Sequence, residues 1–128
     1  MLKMTFCVKK LSHLSRQEFN QYWHETHASL VHKHALALRI KKYTQIPVLE
    51  DANEQESIRS PRGAVSAPFD GVAELWWESL EDLKESRRSP EGKKAAKELL
   101  EDERRFIDLS NSSLWYGEER EIFSYLDF

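Results

Sequence analysis

The sequence predicts an α+β domain built in the order βαββαβ. Three observations carry that prediction. A period-two strand opens the chain, a helix of period 3.6 follows it at once, and a second strand–helix pair with strong start signals occupies the C-terminal half. Residues Leu2 to Lys10 alternate, with Leu2, Met4, Phe6 and Val8 on one side and Lys3, Thr5, Cys7 and Lys9 on the other. Ser15 starts the first helix, and Glu18 completes a capping box with it. Phe19, Tyr22, Trp23, Thr26, His27 and Leu30 then form one apolar stripe, in a helix that breaks near His27 and resumes to about Ala37.

The stretch from Leu38 to Val48 turns β-like, with Ile40, Tyr43, Thr44, Ile46 and Val48. Residues 50–68 are polar, carry Pro61, Gly63 and Pro68, and show no period, so a long flexible loop is expected there. Phe69 to Glu78 is a third strand, with Phe69, Ala73, Leu75 and Trp77 on one face; Ser79 caps a short helix after it. Ser89-Pro90 begins a long helix running to about Asp108. A last strand falls within Leu114 to Phe123. Together these elements describe a single ferredoxin-like domain over 1–128: a four-stranded antiparallel sheet with helices on one face.

Composition narrows the function. The 128 residues carry 32% charged and 40% hydrophobic side chains, which is globular composition. A net charge of −3 with scattered basic residues gives no footprint for nucleic acid. No window approaches a membrane span and no signal peptide is visible. The single cysteine, Cys7, suits a reducing compartment, so a cytoplasmic protein is expected.

A sheet covered on one face leaves the other open. Here that face carries Asp70, Val72, Glu74 and Trp76, and a valine and a tryptophan among carboxylates suggest an interface. A homodimer joined through this face is therefore expected.

Four blocks of sequence add a resemblance. Phe19-x-x-Tyr22-Trp23-x-x-x-His27-Ala28-x-Leu30 comes first and Tyr43-Thr44-Gln45 second. Phe69-Asp70-Gly71-Val72-Ala73-Glu74-Leu75-Trp76 and Asp102-Glu103-x-x-Phe106-Ile107-Asp108 follow. In this order the chain resembles the EthD-domain family. The resemblance implies a dimeric α+β barrel, two sheets packed face to face. Fungal members of that family resemble decarboxylases or dehydratases of aromatic polyketide intermediates. Related barrels include cofactor-free oxygenases, cyclases, lactone isomerases and haem-binding enzymes, and fold alone does not choose among them.

The residues themselves point to proton transfer. His27 lies on the apolar stripe beside Trp23 and Leu30, where an imidazole can move a proton in a dry pocket. Asp102 and Glu103 interrupt the apolar face of the long helix, where buried carboxylates must find partners. One could orient His27 or bind a substrate hydroxyl; the structural alternative is an ion pair to Arg39, Arg104 or Lys42. Tyr22, Trp23, Tyr43 and Trp77 could line a pocket for a flat apolar ligand. His24-Glu25-Thr26-His27 places its histidines three apart, so H-E-x-x-H is absent and no metal site is expected.

The resulting expectation is a small enzyme that needs no cofactor and acts on an aromatic or polyketide-like carbonyl compound. His27 would move the proton, assisted by Asp102 or Glu103. Two rivals stand beside it. One is a non-catalytic accessory or binding protein of a degradation pathway. The other is a haem- or oxygen-dependent oxidoreductase with His27, His32 or His34 as proximal ligand.

Overall fold

The structure, a computed structural model, describes residues 1–126; the last two positions of the domain expected over 1–128 lie outside the described residues. Four strands form one antiparallel sheet: β1 (Leu2–Val8), β2 (Lys42–Pro47), β3 (Gly71–Trp77) and β4 (Ser113–Glu118). Their order across the sheet is β2-β3-β1-β4, which is the ferredoxin-like arrangement. Hydrophobicity decides which face is covered. Leu2, Phe6 and Val8 of β1 and Ala73, Leu75 and Trp77 of β3 join Phe19, Trp23, Leu83 and Phe106 from the opposing layer in one core.

The first helical segment has three parts: α1 (Arg16–Gln21), a π-helical turn over Tyr22–His27, and α2 (Ala28–His34). Ser15 caps it as expected. Its Oγ accepts from the Glu18 amide at 3.0 Å and the Glu18 carboxylate accepts from the Ser15 amide at 2.9 Å. The expected break lies in the π turn, which wedges an extra residue into the helix. That rotation takes Thr26 off the apolar stripe and leaves it exposed, contrary to an α-helical reading of the spacing.

The second half follows its start signals. Ser79 caps α4 (Leu80–Arg88), and Ser89 with Pro90 opens α5 (Pro90–Glu103). Helix α5 stops five residues short of Asp108. The chain there turns in so that Phe106 O accepts from Leu11 N at 3.0 Å and Asp108 N donates to Lys9 O at 2.8 Å. Pairing with the end of β1 wins over another helical turn. Gly92 lets α5 start against α4, since a Cβ would meet the Ser86 carbonyl oxygen at 1.7 Å.

Residues 50–68, expected to form one long flexible loop, hold regular structure and are not loop throughout. Helix α3 (Ala52–Arg59) and a 3-10 turn (Ser60–Arg62) fill its middle. Asp51 caps α3 by accepting from the Glu54 amide at 3.1 Å, and Gly63 closes the segment with φ 61°. No residue of α3 is buried, so no apolar period exists for a sequence reading to find.

The open sheet face is tighter than its composition suggests. Trp76 lies between Lys3 and Lys42, each ammonium 4.7 Å from its ring, and is only 7% exposed. Asp70, expected on that face, precedes the strand and is buried; it accepts from Lys10 N at 2.8 Å and pairs with Arg16 at 2.6 Å. Beyond β4, residues 119–126 have no regular structure and expose Ile122, Phe123, Tyr125 and Leu126. Among the described residues no helix is long and apolar enough to cross a membrane.

A helix that buries nothing opens locally at little cost. Apart from Arg120 in the irregular segment after β4, limited trypsin digestion of the folded protein is therefore expected to cut first at Arg59 or Arg62. First cleavage within α5, at Lys93, Lys94 or Lys97, would contradict the assignment of α3 as the least stable helix.

Candidate active site

One cavity of about 420 Å³ lies between the covered face of the sheet and the helices. Met4, Phe6, Ala73 and Leu75 form its floor; Trp23, Val31, Leu83 and Leu99 line it from the helical layer. Its walls are apolar apart from a few groups, which include His27, Tyr43, Glu103 and Tyr116. Gly71 makes room for the aromatic wall. A Cβ at that position would lie 2.7 Å from two carbons of the Trp23 ring, so a side chain there would push Trp23 out of place.

The π turn supplies the chemistry. In an α-helix residues five apart point about 140° away from each other, whereas a π turn, closed by i to i+5 bonds, stacks them. The Ala28 amide bonds to the Trp23 carbonyl in that pattern. Tyr22 and His27 can therefore both reach one carboxylate. Tyr22 donates its hydroxyl to Asp102 Oδ1 at 2.5 Å, and His27 Nδ1 lies 2.7 Å from Asp102 Oδ2. Arg105, one turn on from Asp102, adds a third contact at 3.1 Å.

This network sets the proton positions. Burial acts against the Asp102 charge, but the hydrogen bonds from Tyr22, His27 and Arg105 outweigh it and hold the carboxyl below its ordinary range. An ionised carboxylate only accepts, so Nδ1 of His27 carries the proton. Burial pulls the His27 pKa below its ordinary value, against the opposing pull of Asp102. The ring is neutral near pH 7, and its other nitrogen, Nε2, is a free base. Among the described residues Nε2 has no partner and is not a sealed orphan, because the buried unpaired side-chain atoms there belong to Asn20 and Arg59. The ring borders the cavity and packs on Phe106 with centroids 5.0 Å apart.

Glu103 completes the site differently. Burial, then the charge of Asp102, push its pKa up to about 7, with Arg104 opposing. At neutral pH it is shared between acid and anion, and its side chain borders the cavity. Tyr43 has a raised pKa, chiefly through burial. Its oxygen accepts from Gln45 Nε2 at 2.8 Å, which leaves the phenolic proton to donate elsewhere.

The expected site residues thus divide. His27, Glu103, Trp23, Tyr43 and Trp77 border one cavity, and Asp102 lies directly behind His27. Tyr22, expected to bind substrate, is not part of the lining; its hydroxyl is committed to Asp102. Trp77 offers only its ring, because its Nε1 donates to Leu38 O at 2.7 Å. Of the expected ion partners for the carboxylates, Arg39 pairs instead with Asp82, and Arg105 takes the role at Asp102. Its position three residues after Asp102 was the available signal. His34 bonds Glu98 across α2 and α5, His32 is exposed, and neither lines the cavity. Outside the cavity, a polar groove lined by Gln17, Asn20, Gln21, His24 and Gln45 shares Trp23 and Tyr43 with it.

The raised pKa of Glu103 makes a stability prediction. Its folded value of about 7 lies above the ordinary 4.5, so the unfolded chain releases this proton more readily. The native state therefore loses stability as pH rises from 4.5 through 7. Glu103→Gln removes the group and should stabilise the protein at pH 9, by on the order of 2 kcal/mol. That gain should vanish below pH 4.5, and thermal melts of both proteins across this range measure it.

Comparison with known proteins agrees with this architecture. No curated protein matches the chain. Among solved structures it is similar to an ethyl tert-butyl ether d (ethd) family protein from Bacillus halodurans, with TM-score 0.62 and 20% identity over 94% of this chain and 99% of that one. A hydroxynitrile lyase from Passiflora edulis matches with TM-score 0.58 and 16% identity, over 96% of each chain. A cofactor-independent oxygenase from Streptomyces nogalater, SnoaB, matches with TM-score 0.50 and 13% identity, over 98% of this chain and 95% of that one. The model of the EthD domain matches residues 11–110, a span that holds α1, the π turn, β2, β3 and all of α5, and the chain belongs to the EthD-domain family.

Proposed function

We propose that the protein is a cofactor-independent enzyme that moves protons on an aromatic or polyketide-like carbonyl compound. The supporting observation is the Asp102–His27 pair, with Nδ1 tied to the carboxylate at 2.7 Å and the ring bordering an apolar cavity. In this reading Nε2 of His27 removes a proton from the carbon beside the carbonyl. The electron pair moves to oxygen, and the resulting enolate is met by the hydroxyl of Tyr43 and by protonated Glu103. Asp102 stabilises the imidazolium, and Tyr22 and Arg105 hold Asp102. The enolate can then expel a β-hydroxyl as water with the Glu103 proton, or close a ring onto a second carbonyl. Loss of carbon dioxide from a β-keto acid reaches the same enolate, which then takes a proton at carbon. Apolar walls exclude the water that would quench it.

The hydroxynitrile lyase among the similar structures is in keeping with lyase chemistry on this fold. The cofactor-independent oxygenase among them is in keeping with catalysis without a cofactor on this fold. The accessory-protein reading makes the Asp102–His27 pair purely structural, and the haem form of the oxidoreductase reading requires a visible absorption band from the purified protein.

The open sheet face is the proposed dimer interface. Val72 sits between Cys7 and Ile46 in its row, and Ile46 is half exposed. Cys7, Val72 and Ile46, with Thr5, Glu74 and Thr44 in the next row, form a mixed surface that a second copy can cover. A reducing compartment accords with the one free thiol, Cys7.

Two predictions follow the chemistry and the assembly. His27→Ala should abolish turnover while far-ultraviolet circular dichroism stays native. Asp102→Asn should lose about 10- to 100-fold, because an amide still holds the ring but does not stabilise its cation. The rate should rise with pH through a value below 6.5 as His27 deprotonates, and fall near 7 as Glu103 ionises; the alkaline limb should disappear in Glu103→Gln. A His27→Ala protein that loses stability and keeps its activity or ligand binding would overturn the catalytic reading. In sedimentation the chain should show twice its 15.1 kDa mass, and Val72→Asp should halve it.

A further inference from the structure

Among the described residues that line the cavity, Arg87 is the one lysine or arginine. It sits in the last turn of α4 and is exposed, as are Ala96, Leu100, Leu114 and Tyr116, which border the same cavity. These five mark its mouth. His27, only 5% exposed, lies at the inner end. The cavity therefore has a direction, with a free base inside and a guanidinium at the rim.

Nothing in the fold uses that guanidinium. The acids of α4 are engaged elsewhere: Glu81 and Glu85 pair with Arg88, and Asp82 pairs with Arg39. Among the described residues Arg87 makes no ion pair and no side-chain hydrogen bond. A cation in the last turn of α4 complements the helix dipole, but Arg88 already occupies that turn. A lone arginine on an open surface binds anions weakly, because water screens it. At the lip of an apolar cavity the low-polarity wall on one side reduces the screening, and the planar fork matches a carboxylate with two parallel hydrogen bonds.

We propose that Arg87 binds an anionic group of the substrate at the cavity mouth, so that the substrate is an apolar ring-bearing carbonyl compound with a carboxylate or similar anion remote from the reacting carbon. This rests on the proton-transfer reading above and narrows its substrate class. The rim cation decides which end of the molecule enters first. Glu103, the acid of the lining, reinforces the choice whenever it is ionised, because it repels an anion from the inside. The carbonyl end is then delivered to His27 and the charged end is left at the rim.

Two fluorescent probes with one ring skeleton test this directly. The anionic probe is 1-anilinonaphthalene-8-sulfonate and the neutral one is N-phenyl-1-naphthylamine. In physiological salt the native protein should bind the anionic probe about tenfold more tightly, as a charge-assisted hydrogen bond implies. Arg87→Gln, at an exposed position, should remove that advantage and leave the neutral probe within about twofold; Arg87→Lys should fall between. Ala96→Trp, which fills the mouth from another exposed position, should weaken both probes. Equal affinities in the native protein overturn the proposal, as does anionic binding that survives Arg87→Gln or is untouched by Ala96→Trp. Normal binding of the neutral probe without charge discrimination defeats the Arg87 assignment alone and leaves the His27 chemistry standing. Failure of both probes to bind defeats the two together.

Discussion

A single buried carboxylate organises this molecule. Asp102 has a side chain only 3% exposed, and an ion in that position without partners would cost several kcal/mol. Three side chains offset the cost: Tyr22, His27 and Arg105. The first two come from one helix and the third from the residues just after α5. The carboxylate therefore ties the π turn to the end of the long helix, and it does so with oriented hydrogen bonds rather than greasy contact. An apolar residue in its place could pack, but it could not fix the tautomer and angle of an imidazole.

The packing around that carboxylate serves the same end. Phe106 is fully buried and touches Phe19, Tyr22 and His27, with ring centroids 5.0 to 5.6 Å apart. It forms a support under the π turn that keeps the helix from relaxing to a regular register. Above the sheet, Trp23 and Trp77 act as spacers between layers, and Ala73 and Ala96 leave volume where larger residues would fill it. The cavity is thus a consequence of where bulk is placed and where it is withheld. Ligand-sized space in so small a core sacrifices dispersion contacts, which is a common trade of stability for function.

Much of this was legible before any coordinates. Alternation in Leu2 to Val8 and capping signals at Ser15, Ser79 and Ser89 define elements through local physics, and the structure keeps each of them. His27 and Asp102 stood out because each interrupts an apolar stripe, and two polar groups on facing stripes find one another. Other features lay outside that logic. The π turn is a matter of one residue in register, and periodicity over a dozen residues does not resolve it. Tyr22 looked like a ligand-facing aromatic because its ring is on the stripe, whereas its role follows from where its hydroxyl ends. Helix α3 left no trace because a helix with no buried face has no amphipathic pattern. Arg87 gave no signal either, since a rim exists only after sheet and helices have closed around a space.

The shared wall of the cavity and the outer groove has a consequence for how this fold diversifies. Trp23 and Tyr43 are all that both spaces have in common, so the partition is one side chain thick. Shortening Tyr43 would join the apolar cavity to the amide-lined groove without touching Asp102, His27 or the strands that carry the floor. A shorter side chain at this single position would thus let an elongated ligand project through the wall. In the proposed chemistry ligand length and enolate binding meet in this one side chain. A change at Tyr43 that admits a longer ligand also removes one of the two groups facing the enolate oxygen, while Asp102, His27 and Glu103 stay as they are.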